Sequence, residues 1–436
     1  MKISALRLAV LASVIAAVFL SCSDDVSSPV TTLPTGPVAL VDVIKIPGNP
    51  LLSSTKSWVD DATKRVYFTD VSNAGVDVID LRTHKYVTRV TGFVGTGANA
   101  ANSGPNSIVF SGDGKAWVTD GVAAVKVVDL ATLTVTATIS TAIAACDNGT
   151  IHNCQRTNEI SYDPEHKIIF VQTPSPLDLN GTPIDTYGTF ISAVAPYPVL
   201  GTITFTDRRN QEAPLYDPDQ HRFLTAVAGR LVGTTVFDQY VAVIDPTVRP
   251  FVIEKKFPID CFALGLGASP GSTFGINDPA LGKNSKMVIP GCGKALIMDA
   301  KTGAITPVTQ IGGGNETWYN KGDNKFYVTG ADVTTGLNSL GVIDGTTGQW
   351  LQSIPAVQST NPTASAETNE IYAVVQVNAA QVATPTTDIS ACSFFGVRGT
   401  GCVLLFAHVL PTAPRLVALP PYMPVNGGVV PDDDGN

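Results

Sequence analysis

Pro105-Asn106-Ser107-Ile108-Val109-Phe110-Ser111-Gly112-Asp113-Gly114-Lys115-Ala116-Trp117-Val118-Thr119-Asp120 is followed closely by Val125-Lys126-Val127-Val128-Asp129 and then Thr136-Ala137-Thr138-Ile139. Short β-branched and aromatic runs alternate here with Ser-Gly-Asp-Gly and Asp-x-x-Thr, whose residues close tight turns, so the stretch reads as four short antiparallel strands. The unit recurs. Lys64-Arg65-Val66-Tyr67-Phe68-Thr69-Asp70, Lys325-Phe326-Tyr327-Val328-Thr329-Gly330 and Asn369-Glu370-Ile371-Tyr372-Ala373-Val374 repeat its second strand, and apolar strands ending in Asp80, Asp129, Asp245, Asp299 and Asp344 repeat its third. Four of these Asp residues open Asp-x-x-Thr turns, at Thr83, Thr132, Thr302 and Thr347. Their side chains are placed to bond backbone amides and turn the chain into a fourth strand.

Taking Tyr67, Trp117, Ile169, Phe223, Met287, Phe326 and Tyr372 as equivalent points gives seven units about 51 residues apart, a propeller-blade period. The predicted fold is all-β: one seven-bladed β-propeller of four-stranded blades. A ring stacks every sheet between two neighbours, which explains strands that are apolar on both faces. Val38 to Ile46 reads as a strand ahead of the first unit that pairs into the seventh blade, beside Cys402 to His408 or Arg415 to Leu419, and so closes the ring and removes an open edge.

The quoted unit resembles the YVTN repeat of bacterial seven-bladed propellers of the YncE type, most closely in the first, second and sixth units. The resemblance implies the architecture and no particular activity.

Composition agrees with this fold. Of 436 residues, 44% are hydrophobic, 15% charged and 7% aromatic, with 39 Gly and 30 Pro. So little charge and so many turn formers argue against a helical bundle. With 28 basic against 37 acidic residues, the net charge of −9 gives no electrostatic footprint for nucleic acid.

The N-terminus sets the expected compartment. Lys2 and Arg7 precede an apolar run from Leu8 to Leu20, too short for a spanning helix, so residues 1–21 read as a secretory signal. The ending Phe19-Leu20-Ser21-Cys22 resembles the lipobox of bacterial lipoproteins, which implies lipidation of Cys22. Residues 22–37 read as a tether, 38–430 as the propeller and 431–436 as an acidic tail. The expectation is an exported, membrane-anchored lipoprotein of the cell envelope, in the outer membrane. Ser23 resembles the sorting pattern of enteric bacteria and Asp24-Asp25 a surface-export tag used by others, which leaves open whether it faces periplasm or exterior.

Six cysteines remain beyond Cys22, an even number that suits disulfides in an oxidising compartment, though six allow 15 connectivities. Proximity favours Cys146 with Cys154 and Cys392 with Cys402, leaving Cys261 with Cys292. No CxxC occurs, so zinc ribbons and covalent haem lack their ligands. All six fall in or beside loops of one face, where the loops between second and third strands are long: about Pro174 to Gly188, Gly229 to Gln239, Gly330 to Ser339 and Val377 to Gly401. Cross-linked long loops mark a working surface.

Asn106, Asn158, Glu159, Glu212, Asn277, Asp278, Asn315, Glu316 and Asn361 stand at the entrances to the first strands, which line the channel of a propeller. They are candidate ligand-binding residues. Glu159, Glu212, Asp278 and Glu316 occupy nearly equivalent places in units three to six and are expected to converge as an acidic ring able to hold a divalent cation such as calcium. Without a cation, repulsion should raise at least one carboxyl pKa. The competing expectation is that these Asn and Glu satisfy turn amides.

Other candidates fare less well. Gly267-Ala268-Ser269-Pro270-Gly271 matches G-x-S-x-G, but Pro270 lacks the amide that an oxyanion hole needs. Tyr187, Tyr240, Phe394, Phe395, Trp318 and Tyr319 lie in or near the long loops as possible stacking surfaces, the last two better suited to packing between blades; Arg208-Arg209 and Arg398 could attract an anion. Of the histidines, His84, His166 and His221 fall in turns of the opposite face, and only His152 reaches the decorated one. These features favour a binding or scaffolding module whose protein or small-molecule ligand is not specified, with a lactonase-like hydrolase using the acidic ring as the alternative. A haem or quinone propeller has no motif here.

Overall fold

The computed structural model describes residues 36–97, 99–206, 210–232, 235–267, 275–355, 359 and 361–409. Cys22 and most of the tether, Arg208-Arg209, Ala268 to Gly271, Arg415 to Leu419 and the acidic tail lie outside them.

Seven antiparallel sheets of four main strands form the blades, that of blade six also taking in the two-residue strand Ile311–Gly312. Blade one is Ser57–Asp60, Arg65–Asp70, Gly75–Asp80 and Lys85–Thr91; blade two is Ile108–Phe110, Lys115–Asp120, Ala124–Asp129 and Thr134–Ser140. Blade three is Ile160–Asp163, Ile168–Thr173, Tyr187–Ser192 and Val199–Thr204; blade four is Gln211–Asp217, Arg222–Val227, Gln239–Ile244 and Ile253–Ile259. Blade five is Ala280–Leu281, Lys286–Gly291, Lys294–Asp299 and Ile305–Val308, and blade six is Thr317–Asn320, Lys325–Asp332, Asn338–Asp344 and Trp350–Pro355. Blade seven takes Pro362–Ala364, Ile371–Val375 and Cys402–His408 from one end of the chain and Val38–Lys45 from the other. The closing ladder therefore uses Cys402–His408, with Val38 opposite His408 and Lys45 opposite Cys402.

Each of the seven landmarks lies in a second strand and is buried, but four are one residue out of phase. Tyr67, Trp117 and Tyr372 point at the following blade, packing with Val118, Val171 and Phe68. Their true equivalents in blades three to six are Phe170, Leu224, Val288 and Tyr327, whereas Ile169, Phe223, Met287 and Phe326 face the preceding blade. Because side chains alternate across a strand, a one-residue slip exchanges faces. It goes unseen in sequence because both faces are apolar.

The Asp-x-x-Thr turns form as expected. Asp80 Oδ1 accepts from the Arg82 and Thr83 amides at 3.0 and 2.9 Å, and Asp129, Asp299 and Asp344 accept in the same way. Burial is the largest single influence on the Asp80 and Asp344 carboxyls and acts to raise them, but the amide and Thr hydroxyl hydrogen bonds together outweigh it and hold both below their usual range.

Loops between second and third strands lie on one face together with the blade-to-blade linkers. The loop of blade four carries a small hairpin, Arg230–Val232 with Thr235–Phe237, and that of blade seven a short helix, Ala379–Ala383, with an Asn378–Gln381 capping box. The blade-six loop is shorter than expected, because its strands pair on to Ala331 and Asn338. All three disulfides form as proximity suggests: Cys146–Cys154, Cys261–Cys292 and Cys392–Cys402. The second ties the blade-four exit to the turn of blade five; the other two staple loops of this same face.

Phe170, Phe190 and Phe251 stack in parallel, at centroid distances of 4.3 and 3.5 Å, and fill the seam between blades three and four. Gly188 makes this possible, because a Cβ there would stand 2.2 Å from Phe170 Cε2. Gly188→Ala is expected to cost about 1–3 kcal/mol by overpacking. Chemical denaturation at unchanged m-value measures it, and an unaffected midpoint would show that the stack yields freely.

Candidate functional site

The first strands point inward, and each blade places one side chain at the entrance to the channel, ten to twelve residues before the second-strand residue that faces the following blade (Tyr67, Trp117, Phe170, Leu224, Val288, Tyr327 or Tyr372). In chain order the entrance residues are Lys56, Ser107, Glu159, Glu212, Asp278, Glu316 and Asn361. All are buried. Lys56 crosses the channel from blade one, and its Nζ lies 3.3 Å from Glu159 Oε2, 2.9 Å from Asp278 Oδ2 and 2.7 Å from Glu316 Oε2. One amine thus joins blades one, three, five and six.

Glu159 and Asp278 also accept from neighbouring blades. Ser107 Oγ donates to Glu159 Oε2 at 2.9 Å, and the Ala213 amide of blade four donates to Asp278 Oδ1 at 2.7 Å. Of the four expected carboxylates the structure gathers three, Glu159, Asp278 and Glu316, with ligand atoms within 4.8 Å of one another. Glu212 occupies the equivalent place in blade four, where its Oε1 accepts from Asn210 Nδ2 at 2.7 Å.

Three of the asparagine candidates staple neighbouring segments through their side chains. Asn106 donates to the carbonyls of Ser103 and Thr157 at 2.9 and 3.0 Å, Asn277 to that of Gly314 at 2.8 Å, and Asn361 to Ser54 Oγ at 3.0 Å. Asn158 is buried with its carbonyl accepting from Thr119 Oγ1, and Asn315 is exposed with its carbonyl accepting from the Asp278 amide at 3.0 Å. Side-chain bonding thus accounts for Asn106, Asn277 and Asn361, while Asn158 and Asn315 bond neighbouring segments through their backbone.

Two residues further along the strands, Trp58 and Trp318 meet edge to face across the channel, centroids 4.8 Å apart. A charged layer and an aromatic layer therefore fill the channel beneath its mouth. Sequence reasoning missed Lys56 because its search was for oxygen donors. The signal was present: Thr55-Lys56 stands eleven residues before Tyr67, as Asn158-Glu159 stands before Phe170.

Burial pushes the Glu159 carboxyl up to about 7, aided by the charge of Asp278 and opposed by Lys56. Burial, Asp278 and Glu159 also raise Glu316 well above the usual carboxylate range. Desolvation alone would lower the Lys56 amine, but the three carboxylates outweigh it and hold it well above its ordinary value. The amine is thus a permanent cation rather than a nucleophile. It occupies the centre that the sequence assigned to a divalent ion. A raised carboxyl pKa was expected and is seen, produced mainly by burial.

Tyr187 and Tyr240 are core residues: the Tyr187 hydroxyl donates to the Thr141 carbonyl at 3.1 Å beside the Cys146–Cys154 bridge, and Tyr240 lies in the seam of blades three and four. Neither is available for stacking on a ligand. Phe395 is partly buried against the blade-six and blade-seven core, Tyr319 packs on Phe326, and Arg398 donates to the Asp388 carbonyl at 3.3 Å. Only Phe394 among these aromatics is exposed, at 45%. Comparison with protein-family models finds no match, and comparison with curated proteins finds none either.

A carboxyl raised by folding stabilises fully below its unfolded pKa and loses that contribution as pH rises through its folded value. Glu159 should therefore contribute a fall in stability between pH 4.5 and 7, on the order of 2 kcal/mol. Glu159→Gln should flatten that part of the profile, and parallel profiles for the two proteins would refute the assignment. Lys56→Met leaves three buried carboxylates without their cation. A loss of about 3–5 kcal/mol is expected at pH 8, and a smaller loss at pH 5, where the carboxyls take up protons. Urea melts at the two pH values read the difference.

Proposed function

We propose that this chain is a binding or scaffolding propeller of the cell envelope, held to the membrane by lipid on Cys22 and recognising its partner with the loop-bearing face. One observation carries the reading: this face exposes large apolar side chains from loops around the ring, among them Val94, Val122, Ile151, Phe262, Val333 and Phe394. Phe262 and Phe394 are 48% and 45% exposed, each within two residues of a disulfide-bonded cysteine. Exposed aromatics on a rigid, cross-linked surface are what a protein-recognition patch requires. The YVTN-like repeat in the first, second and sixth units supports an envelope propeller of the YncE type.

The channel chemistry favours binding over hydrolysis. Lys56 engages the carboxylates that a lactonase-like mechanism would need for a cation or a water, and they are almost wholly buried. A shallow crevice on the same face, lined by Ala101, Gln155, Arg156, Pro174 and Ser175, encloses about 0 Å³ of space that water could occupy. That is below the roughly 300–1,000 Å³ of small-molecule sites, and suits a macromolecular partner better.

Two experiments test the reading. Phe262→Asp with Phe394→Asp should abolish capture of the partner from envelope extracts, while Val248→Asp with Val252→Asp on the opposite face should not; equal capture by all three proteins would refute the assignment of the face. Cys22→Ala should move the protein from the membrane to the soluble fraction, and a soluble wild type would refute the anchor.

A further inference from the structure

On the face opposite the long loops, the first turns of blades three and four bring together two imidazoles, two carboxylates and a phenol. Asp163 ends the first strand of blade three and leads through Pro164 into Glu165 and His166. His166 Nδ1 lies 2.7 Å from Asp163 Oδ2. From blade four, His221 Nδ1 lies 2.6 Å from Glu165 Oε2, and the Tyr216 hydroxyl donates to the same oxygen at 2.8 Å. Ligand atoms of Asp163, Glu165 and His166 fall within 4.8 Å of one another.

We propose that this step between blades is a binding site for a zinc-class divalent cation, with Asp163, Glu165 and His166 as ligands and His221 as the fourth. The donor chemistry selects the metal. Calcium and magnesium take oxygen donors, whereas mixed imidazole and carboxylate donors suit zinc, at about 2.0–2.2 Å from each. Tetrahedral ligands at that distance stand a little over 3 Å apart; Asp163, Glu165 and His166 already have ligand atoms within 4.8 Å of one another, and His221 Nδ1 lies 2.6 Å from Glu165 Oε2. The side chains best placed to rotate are the exposed ones, Glu165 and His221, at 48% and 58%. Asp163 is the fixed point: its side chain is fully buried, and its Oδ1 accepts from the Glu165 and His166 amides at 2.8 and 3.1 Å.

Two carboxylates offset the charge of the ion, and the Tyr216 hydroxyl orients Glu165 from outside the ligand shell. On binding, the proton between His166 Nδ1 and Asp163 Oδ2 leaves to solvent and the nitrogen lone pair takes up the metal. A filled site would link blades three and four across the seam that, on the other side of the molecule, has no disulfide among the described residues.

The test is calorimetric titration of chelator-treated full-length protein with zinc chloride at pH 7.5, with cobalt(II) absorption as a reporter of tetrahedral coordination. One ion per chain in the micromolar range or tighter is expected, with intense visible cobalt bands. His166→Ala, Glu165→Gln and His221→Ala should each weaken binding at least tenfold, whereas His152→Ala on the other face should not. Glu165 and His221 are exposed enough that their variants remain informative should His166→Ala fail to fold. Absence of stoichiometric binding, or binding indifferent to Glu165→Gln and His221→Ala, would overturn the proposal.

Discussion

Each blade of this protein is apolar on both sides, so no sheet has its surface covered until a neighbour lies against each face. In a row of seven, two faces would always stay bare; in a ring, none does. The pairing of Val38–Lys45 with Cys402–His408 is therefore the contact through which the other seams become simultaneously satisfiable. It is reinforced where the chain enters. Gln352 of blade six exchanges two hydrogen bonds with the Val38 backbone, and His408 reaches Asp323 Oδ2 at 2.8 Å and the Gly36 carbonyl at the same distance. The core is correspondingly divided into seams, with clusters at six and seven, seven and one, one and two, two and three, three and four, four and five, and five and six.

Closure also forces seven first strands toward one axis, where backbone and side-chain polar groups lose water together. The chain answers with bonds passed from blade to blade: Thr55 Oγ1 to the Asn106 carbonyl, Thr119 Oγ1 to that of Asn158, Gln172 Nε2 to that of Glu212, and Ser57 Oγ to that of Asn361. Among the described residues, Lys56 spans the axis instead of following the circumference. Buried ionic groups are a poor source of net stability, and removing one partner is costly because the others stay behind unpaired. A blade rotated or missing would leave carboxylates facing no cation.

The repeat was legible because tight turns leave a chemical mark. Asp80, Asp129, Asp299 and Asp344, and the second strands they accompany, show the period and number of the blades directly. What escaped was whatever depends on the face of a strand. Ile169 and Phe170 are both large and apolar, so nothing in their identity tells which looks forward. The acidic candidates were found because their residue type is conspicuous at strand entrances; Lys56 was missed because position, not type, places it among them. Tyr187 and Tyr240 mislead for the converse reason, since loop proximity says nothing about whether a ring turns inward. The disulfides were readable from separation alone, the two short loops leaving the third pair without alternatives.

The direction in which the chain enters its closing strand has a mechanical consequence. Val38 and His408 lie together at the end of blade seven away from the long loops, and Lys45 meets Cys402 at the other. Ladder hydrogen bonds run perpendicular to their strands. Tension applied through residues ahead of Val38, as a membrane attachment at Cys22 would apply it, acts along the strand axis and loads all seven residue pairs at once in shear, rather than peeling them one by one. The sixteen residues from Cys22 to Pro37 can extend to at most about 55 Å. Load entering at this end of the strand is thus shared across the whole closing ladder.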